Sequence, residues 1–297
     1  MATLSDFNRD GKRYVALNGV GDDQDQSILF DHVSSYDLIR SFVDANCNWS
    51  RVLESRKNQW KPSILPEADG LVYNPPGKPE DIRNCTVSAF GNTHKTINNS
   101  LSSQKDVDWF YKGNGTTVIG TDHPLISNLN SYGCGIEIEY AAVFMINAAG
   151  DPVYIGYIIA NDFSDAEMRR RMPSLANLSK LAATSFGRFL FLAPIPKKTE
   201  IACTILRDGK PAWRVNGQLG SEAMKYSFFY LNELLFQNQS IKGDAYTIHY
   251  MLLGASISSN KAEFDMKHSD IILVHDEDNN VILRNEYIDE AIVCACC

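Results

Sequence analysis

Residues 135–172 read GIEIEYAAVFMINAAGDPVYIGYIIANDFSDAEMRRRM, and this stretch decides how the chain folds. It holds two long apolar runs separated by a turn signal at residues 147–150, a pattern typical of two adjacent β-strands. Glu137 and Glu139 interrupt the first run, and Asp162 closes the second. Because side chains two residues apart point to the same face of a strand, the two glutamates are predicted to project side by side.

The residues alone leave two interpretations of this acidic pair. On a solvent-facing edge strand, alternating charges need no ligand. In a buried strand, two close carboxylates raise each other's pKa or require a cation between them. Asp162 favours the second interpretation, because it ends an apolar strand just before a helix. The start of that helix, residues 164–167, matches a Ser-x-x-Glu capping box with Ser164 as the N-cap.

These three acids are therefore predicted to form an all-oxygen site at the end of two neighbouring strands. Oxygen ligands suit Mg²⁺, Mn²⁺ or Ca²⁺ better than zinc. The predicted metal ligands are Glu137, Glu139 and Asp162.

Basic residues follow the acids in the sequence. Lys180 lies in the segment LANLSKLAATSFG, among small and apolar residues. A lysine in such surroundings holds its proton less tightly and can act as a base, and a lysine that reaches out to solvent from a helix is the alternative. The run Arg169, Arg170 and Arg171 is interpreted as a solvated helix face.

Outside this stretch, short β-rich runs dominate, and turn signals such as Asp208-Gly209 separate them. The chain lacks the regular strand–helix alternation of a doubly wound parallel sheet, so the pattern predicts a β-dominated α+β fold. Residues 1–80 are predicted to form a small N-terminal α/β domain, which ends at the Pro- and Gly-rich segment LVYNPPGKPED. Residues 81–297 are predicted to form the second, larger domain.

Composition and charge exclude several classes of protein. The net charge is −8 and no basic stripe is present, so a nucleic-acid partner is not expected. No apolar run is long enough to cross a bilayer, and the N-terminus has no apolar signal-peptide centre, so a cytoplasmic protein without a membrane partner is expected. The seven cysteines, three of them in the tail CACC, are predicted to be reduced thiols.

The acidic motif, the segment GYIIANDFSD and a lysine 18 residues after Asp162 together resemble the fumarylacetoacetate hydrolase superfamily. The segments VSAFGNTHKTI, WFYKGNGTTVIGTDHPL and KGDAYTIHYMLLGAS resemble further parts of it, and the similarity covers about residues 83–286. FYKG and the Asp162–Lys180 spacing favour its 2-keto-3-deoxy-pentonate (arabinonate) dehydratase branch. That branch also carries an N-terminal extension.

The resemblance implies a β-rich catalytic fold that forms a homo-oligomer, either a dimer or a tetramer. It also implies a divalent cation, foremost Mg²⁺, on the three acids, and a 2-oxo acid or 1,3-dicarbonyl as the small-molecule substrate. Lys180 is the expected base and His94 the expected catalytic histidine, while Lys112 is expected to attract a substrate carboxylate. His249, which lies within a β-rich run, is predicted to be a core residue instead.

The sequence departs from the superfamily pattern at two places. Hydrolytic members often carry a glutamate a few residues after the histidine, but here Ile97 stands three residues after His94 and no acid follows before Asp106. A water-activating pair is therefore in doubt. Gly254-Ala255 replaces a Gly-Thr pair, so the expected hydroxyl contact to substrate depends on Ser256.

Three functions stay open at this point. The first is a metal-dependent lyase that dehydrates a 2-keto-3-deoxy sugar acid. The second is a C–C hydrolase, decarboxylase or tautomerase that uses the same site on a 2-oxo acid or a 1,3-dicarbonyl. The third is a binding protein that has kept the fold without the chemistry.

Overall fold

The computed structural model describes residues 1–20, 27–63, 70–94, 107–259, 264–278 and 280–295. The described chain forms one sheet of thirteen strands and a second sheet of five strands. Short helices cover parts of both sheets. This arrangement confirms the predicted β-dominated α+β fold.

The secondary-structure elements fall into three groups along the chain. The N-terminal group comprises β1 (Thr3–Arg9), β2 (Lys12–Asn18), β3 (Ser27–Asp31), α1 (Ser35–Asp44), α2 (Trp49–Ser55), β4 (Trp60–Ser63) and β5 (Val72–Asn74). The central group comprises β6 (Cys85–Gly91), β7 (Asp108–Asn114), β8 (Val118–Gly120), β9 (Leu125–Ile126), β10 (Glu137–Ile146), β11 (Pro152–Asp162), α3 (Ala166–Arg171), α4 (Ala176–Ser179) and β12 (Thr184–Phe191). The C-terminal group comprises β13 (Thr199–Arg207), β14 (Lys210–Leu219), α5 (Phe228–Phe236), α6 (Gln239–Lys242), β15 (Ile248–Leu252), β16 (Ile257–Ser258), β17 (Ile271–His275), β18 (Val281–Ile288) and α7 (Glu290–Ala295).

Strand β10 lies in the middle of the large sheet, whose order is β4-β3-β2-β1-β12-β11-β10-β15-β6-β7. It pairs antiparallel with β11 along one edge and with β15 and β16 along the other. The edge-strand interpretation of its two glutamates is therefore wrong, because both edges of the strand are hydrogen-bonded.

The side chains of β10 alternate between two apolar clusters. Ile138, Tyr140, Ala142, Phe144 and Ile146 join the cluster that fills the space between the two sheets. Ala141, Val143 and Met145 join the cluster on the opposite face of the large sheet. Burial on both faces explains why this strand reads as an almost continuous apolar run.

The N-terminal strands belong to the same sheet as the central strands. β1 pairs with β2 and also with β12, while β5, from the segment read as a boundary, pairs with β1. The second apolar cluster combines residues from both sides of position 80, among them Leu4, Leu38 and Tyr250. The division at residue 80 stays a prediction, and both hydrogen bonding and core packing run across it.

Helices α1 and α3 both begin at a side-chain N-cap. Ser34 caps α1, because its side chain accepts a hydrogen bond from the backbone N–H of Asp37. At α3 the prediction of Ser164 is wrong. The N-cap is Asp165, whose carboxylate accepts from the N–H of Met168 at 3.0 Å, and Glu167 pairs with Arg170 and Arg171 instead of closing a capping box.

None of the helices in the described residue ranges combines the length and the apolar character needed to cross a lipid bilayer.

Candidate metal centre and active site

The pairing of β10 with β11 brings the three predicted acids to one face of the large sheet. Glu139 lies opposite Ala160, and Asp162 follows two residues later on the same face. Glu137 lies beside them, where its backbone N–H donates to Asn161 Oδ1 at 3.3 Å. Strand parity predicted the Glu137–Glu139 pair, whereas the approach of Asp162 depends on the register of the two strands.

The carboxylates of Glu137, Glu139 and Asp162 form a tight group. One oxygen from each lies within 4.8 Å of the others. Glu139 and Asp162 are buried, with 1% and 2% of their surfaces exposed, and Glu137 is half-buried. Three acids this close and this shielded from water repel one another strongly unless positive charge lies among them.

Two lysines supply part of that positive charge. The Lys180 ammonium donates to Asp162 Oδ2 at 2.5 Å and also contacts Glu137 Oε2. Lys112, which is completely buried, forms an ion pair with Asp162 and donates to the carbonyl oxygen of Phe163 at 2.9 Å. The placement of Lys112 favours a role in positioning Asp162, because its ammonium is directed at the protein.

The pKa values of this group reflect burial and charge together. Burial, reinforced by the charges of Asp162 and Glu137, raises the pKa of Glu139 well above its usual range. Burial also tends to raise the pKa of Asp162, but Lys112 and Lys180 outweigh it and hold that pKa below its usual value.

The pKa values of the two lysines shift in opposite directions. Burial lowers the pKa of Lys180, but attraction to Asp162 and Glu137 is stronger and raises it overall. For Lys112, burial dominates and lowers the pKa. Lys180 is therefore held as an ammonium group in the ion-free protein, and any use of it as a base requires a weaker pull of the two carboxylates on its proton.

The donor set fits a divalent cation that prefers oxygen. Ions such as Mg²⁺ and Ca²⁺ take oxygen ligands at about 2.0–2.6 Å, so one ion can bridge oxygens separated by up to about twice that distance. The 4.8 Å limit on the separations among the three acids falls within the span for Ca²⁺, whereas Mg²⁺, with ligands at about 2.0–2.1 Å, requires the oxygens to lie within about 4.2 Å of one another. The raised pKa of Glu139 points the same way, since a nearby cation favours the ionised carboxylate.

Glu139 is held in place by the chain around residue 254. The backbone N–H of Gly254 donates to Glu139 Oε2. Gly254 has φ +93°, and a Cβ at this position would collide with Oγ1 of Thr93. Glycine is therefore required here. In the sequence, Gly254 stands out only as part of a motif that departs from the superfamily pattern.

A cavity of about 460 Å³ opens onto the three acids and Lys180. His94 lines it, with Nδ1 3.2 Å from Oγ1 of Thr93, and Thr93 in turn donates to the carbonyl of Leu253 at 2.5 Å. The structure thus brings together His94, Lys180 and the acids at one site. Thr93 is a further lining residue, and its place next to His94 in the sequence was the signal that could have identified it.

Other predicted residues lie apart from this cavity or outside the described residues. Ser256 does not line it; its buried hydroxyl lies near Gly217, and Ser258 lines the cavity instead. Ile97 and Asp106, which bear on the hydrolytic pair, lie outside the described residues. His249 is 1% exposed and contacts the carbonyl of Lys242 at 2.8 Å, which confirms it as a core histidine.

The arginine run requires a correction. Arg169 and Arg170 both line the cavity, but only Arg169 is half-buried, so the interpretation as a solvated helix face fails for Arg169 and holds for the exposed Arg170. The reason is that α3 begins only four residues after β11 ends at Asp162, which keeps Arg169 close along the chain to an acid of the cavity. Arg171 does fit that interpretation, because it is exposed and pairs with Glu167 on the helix surface.

The fold is that of the fumarylacetoacetate hydrolase superfamily, as the sequence resemblance implied. Neither a protein-family model nor a curated protein matches the sequence. Solved structures do match over almost the whole chain. One is "2-keto-3-deoxy-D-arabinonate dehydratase complexed with magnesium and 2,5-dioxopentanoate", with a TM-score of 0.67 and 15% identity over 97% of this chain and 99% of that one.

Two other structures of the same fold bear different enzyme names. The fumarylacetoacetate hydrolase of psychrophilic Exiguobacterium antarcticum has a TM-score of 0.64 and 14% identity, covering 97% of this chain and all of that one (100%). A 5-carboxymethyl-2-hydroxymuconate delta-isomerase from Mycobacterium smegmatis has a TM-score of 0.62 and 15% identity, covering 97% and 99%. At these identities the similarity establishes the fold, and the chemistry has to be inferred from the site.

Proposed function

We propose that this protein is a divalent-metal-dependent lyase that dehydrates a 2-keto-3-deoxy sugar acid. The observation that carries the proposal is the buried trio Glu137, Glu139 and Asp162, with Lys180 contacting two of its members at the wall of a cavity. A structure of the same fold is named as a dehydratase in complex with magnesium and 2,5-dioxopentanoate, which supports this chemistry.

In this mechanism the three acids hold the cation, and Lys112 fixes the carboxylate of Asp162. When bound, the cation would supply a Lewis acid that stabilises the negative charge developing at the 2-oxo end of the substrate. Lys180 removes the C3 proton once Glu137 and Asp162 no longer hold its own proton so tightly. His94 lines the same cavity and donates a proton to the departing C4 hydroxyl, which leaves as water.

A second reaction at the same site is the alternative. Structures of this fold are also named as a hydrolase and as an isomerase, so C–C cleavage, decarboxylation or tautomerisation remains the competing chemistry. Dehydration keeps the carbon chain intact, whereas cleavage and decarboxylation shorten it. Ile97, three residues after His94, disfavours a hydrolytic pair of the kind found in hydrolytic members.

The test incubates the purified protein with Mg²⁺ and a panel of 2-keto-3-deoxy-pentonates and acylpyruvates, followed by mass spectrometry. Loss of water supports the lyase, while loss of CO₂ or cleavage supports the alternative. Lys180→Met is expected to lower turnover by about 10³-fold, as loss of a general base does, and to keep the Mg²⁺-induced rise in melting temperature. Lys210→Met, an exposed position on β14, is the matched control and should keep full turnover.

The opposite result is equally informative. If no compound in the panel reacts and EDTA still lowers the melting temperature, the protein binds a metal without this chemistry, and the binding-protein interpretation takes over.

We also propose a homo-oligomer located in the cytoplasm, with no nucleic-acid partner. Ile126, Leu178 and Leu181 line a second cavity, of about 180 Å³, and each exposes about half of its surface, at 50%, 52% and 47%. Exposed apolar residues grouped in this way are typical of contact surfaces. The five cysteines among the described residues are free thiols, as expected in a reducing compartment. Light scattering measures the oligomeric state directly.

A further inference from the structure

Helix α3 carries a cationic side chain into the cavity that holds the three acids. The helix starts four residues after Asp162, and Asp165 fixes this start as the N-cap. Arg169, in the middle of the helix, lines the cavity and is half-buried. Its guanidinium carbon lies 5.4 Å from the centroid of the Phe110 ring, which also lines the cavity. A planar aromatic support of this kind limits the freedom of the guanidinium group.

The three consecutive arginines of α3 differ in how their charges are balanced. Arg170 and Arg171 both pair with the carboxylate of Glu167. Arg169 forms no ion pair with any carboxylate of the residues that the structure describes. Lys112 and Lys180 contact Asp162, and Lys180 also contacts Glu137. Arg169 is thus a guanidinium group on the cavity wall without an ion-pair partner among the described residues.

An arginine in this situation is suited to bind an anion from the ligand. Guanidinium groups bind carboxylate and phosphate through two parallel hydrogen bonds, and such bonds are stronger than neutral ones. In the proposed function, the carboxylate beside the 2-oxo group of the substrate lies at the metal centre. The anion available to Arg169 is then a second one, further along the substrate.

We propose that Arg169 selects substrates with a second anionic group, carboxylate or phosphate, at the end distal to the 2-oxo acid. The substrate class is accordingly a 2-keto-3-deoxy sugar diacid, or a 2-keto-3-deoxy sugar acid with a terminal phosphate, in preference to a sugar acid with a neutral end. This inference rests on the proposed function, since it assumes that the 2-oxo acid end lies at the acids.

Binding of unreactive analogues tests the inference without relying on turnover. Isothermal titration calorimetry in Mg²⁺ compares 2-oxoadipate with 2-oxohexanoate, which has the same chain length but a methyl group at the distal end. A 2-oxo acid of similar length with a terminal phosphonate forms a third arm and distinguishes the two anions. The wild-type protein should bind the analogues that carry a distal anion about tenfold more tightly than it binds 2-oxohexanoate. This is the gain expected for a charge-assisted pair that solvent and salt partly screen.

Variants of the same helix provide matched controls. Arg169→Gln should remove the tenfold preference and leave the affinity for 2-oxohexanoate unchanged, and Arg169→Lys should restore part of it. Arg171→Gln removes the same charge from the neighbouring exposed surface and should behave like the wild type. Raising the KCl concentration should reduce the wild type's preference for 2-oxoadipate over 2-oxohexanoate, because salt screens the charge pair.

Three results would overturn the inference. The first is that the wild type binds 2-oxoadipate and 2-oxohexanoate with equal affinity. The second is that Arg169→Gln weakens the binding of both ligands equally. The third is that Arg171→Gln loses the preference for the distal anion as Arg169→Gln does. A separate measurement reports on the proposed function: binding of 2-oxohexanoate should disappear in EDTA. If that binding does not depend on Mg²⁺, the metal-centred proposal fails whatever the preference for the second anion.

Discussion

Asp6 and Glu139 are both fully buried acids, but their surroundings differ completely. Asp6 lies in β1 and accepts five hydrogen bonds of 2.7–2.9 Å, two from Arg13, two from Ser35 and one from Asn74. Glu139 lies in β10, accepts from the backbone of Gly254, and faces two other carboxylates. A buried acid with a complete set of hydrogen-bond donors stabilises the fold. A buried acid crowded by other acids is a candidate cation ligand, because its ionised form needs nearby positive charge.

The largest effect on stability is expected at Asp6. Asp6→Asn removes the charge that pairs with Arg13 and replaces one accepting oxygen with an N–H₂ group that faces donors. The free energy of unfolding should fall by about 2–4 kcal/mol, measured by urea denaturation. The Mg²⁺-induced shift in melting temperature should stay as in the wild type. Loss of that shift would show that Asp6 also affects metal binding, and the contrast between a structural acid and a candidate metal ligand would fail.

His249 is a buried base that can be compared with these two buried acids. It is buried against the carbonyl of Lys242, and burial lowers its pKa to about 4, although the hydrogen bond to Lys242 opposes this. The unfolded chain, with a histidine pKa of about 6.5, therefore takes up a proton as the pH falls below 6.5, while the folded protein does not until about pH 4. Stability from this group is complete above pH 6.5 and is lost on acidification.

Between pH 7 and pH 5 this loss should amount to about 2 kcal/mol. His249→Gln keeps a side chain that can donate to the Lys242 carbonyl but does not titrate. The difference in pH dependence between wild type and variant, from urea unfolding at both pH values, measures the effect of the histidine alone. Parallel curves for the two proteins would show that His249 titrates normally.

The smallest effect is expected at Glu139, and its sign is opposite to that at Asp6. Because burial and two neighbouring acids raise the pKa of Glu139, its ionised form destabilises the ion-free fold at pH values above the normal glutamate pKa. Glu139→Gln should raise the free energy of unfolding in EDTA at pH 8 by about 1 kcal/mol. The same variant should lose the Mg²⁺-induced shift. Destabilisation in EDTA, as at Asp6, would mean that Glu139 is a structural acid.

Several features of the site could be predicted from the sequence because they are local. The two-residue spacing of Glu137 and Glu139 places them on one face of any strand, and the apolar run around them predicts burial. The helix cap at Ser34 and the core position of His249 also follow from short-range patterns. The errors at Ser164 and Arg169 were local too, but there the neighbouring chain decides which side chain caps the helix and which faces the cavity.

By itself, the sequence determined the strand pattern, the shared face of two acids and the preference for an oxygen-binding cation. These depend only on backbone geometry and on the chemistry of the side chains. The sequence also predicted that Asp162 joins the acids, but only the tertiary structure decided that Lys112 holds Asp162 and that Arg169 lines the same cavity. The reason is that strand register and the path of a helix after a strand are set by packing across the whole sheet, which brings together residues far apart in the sequence.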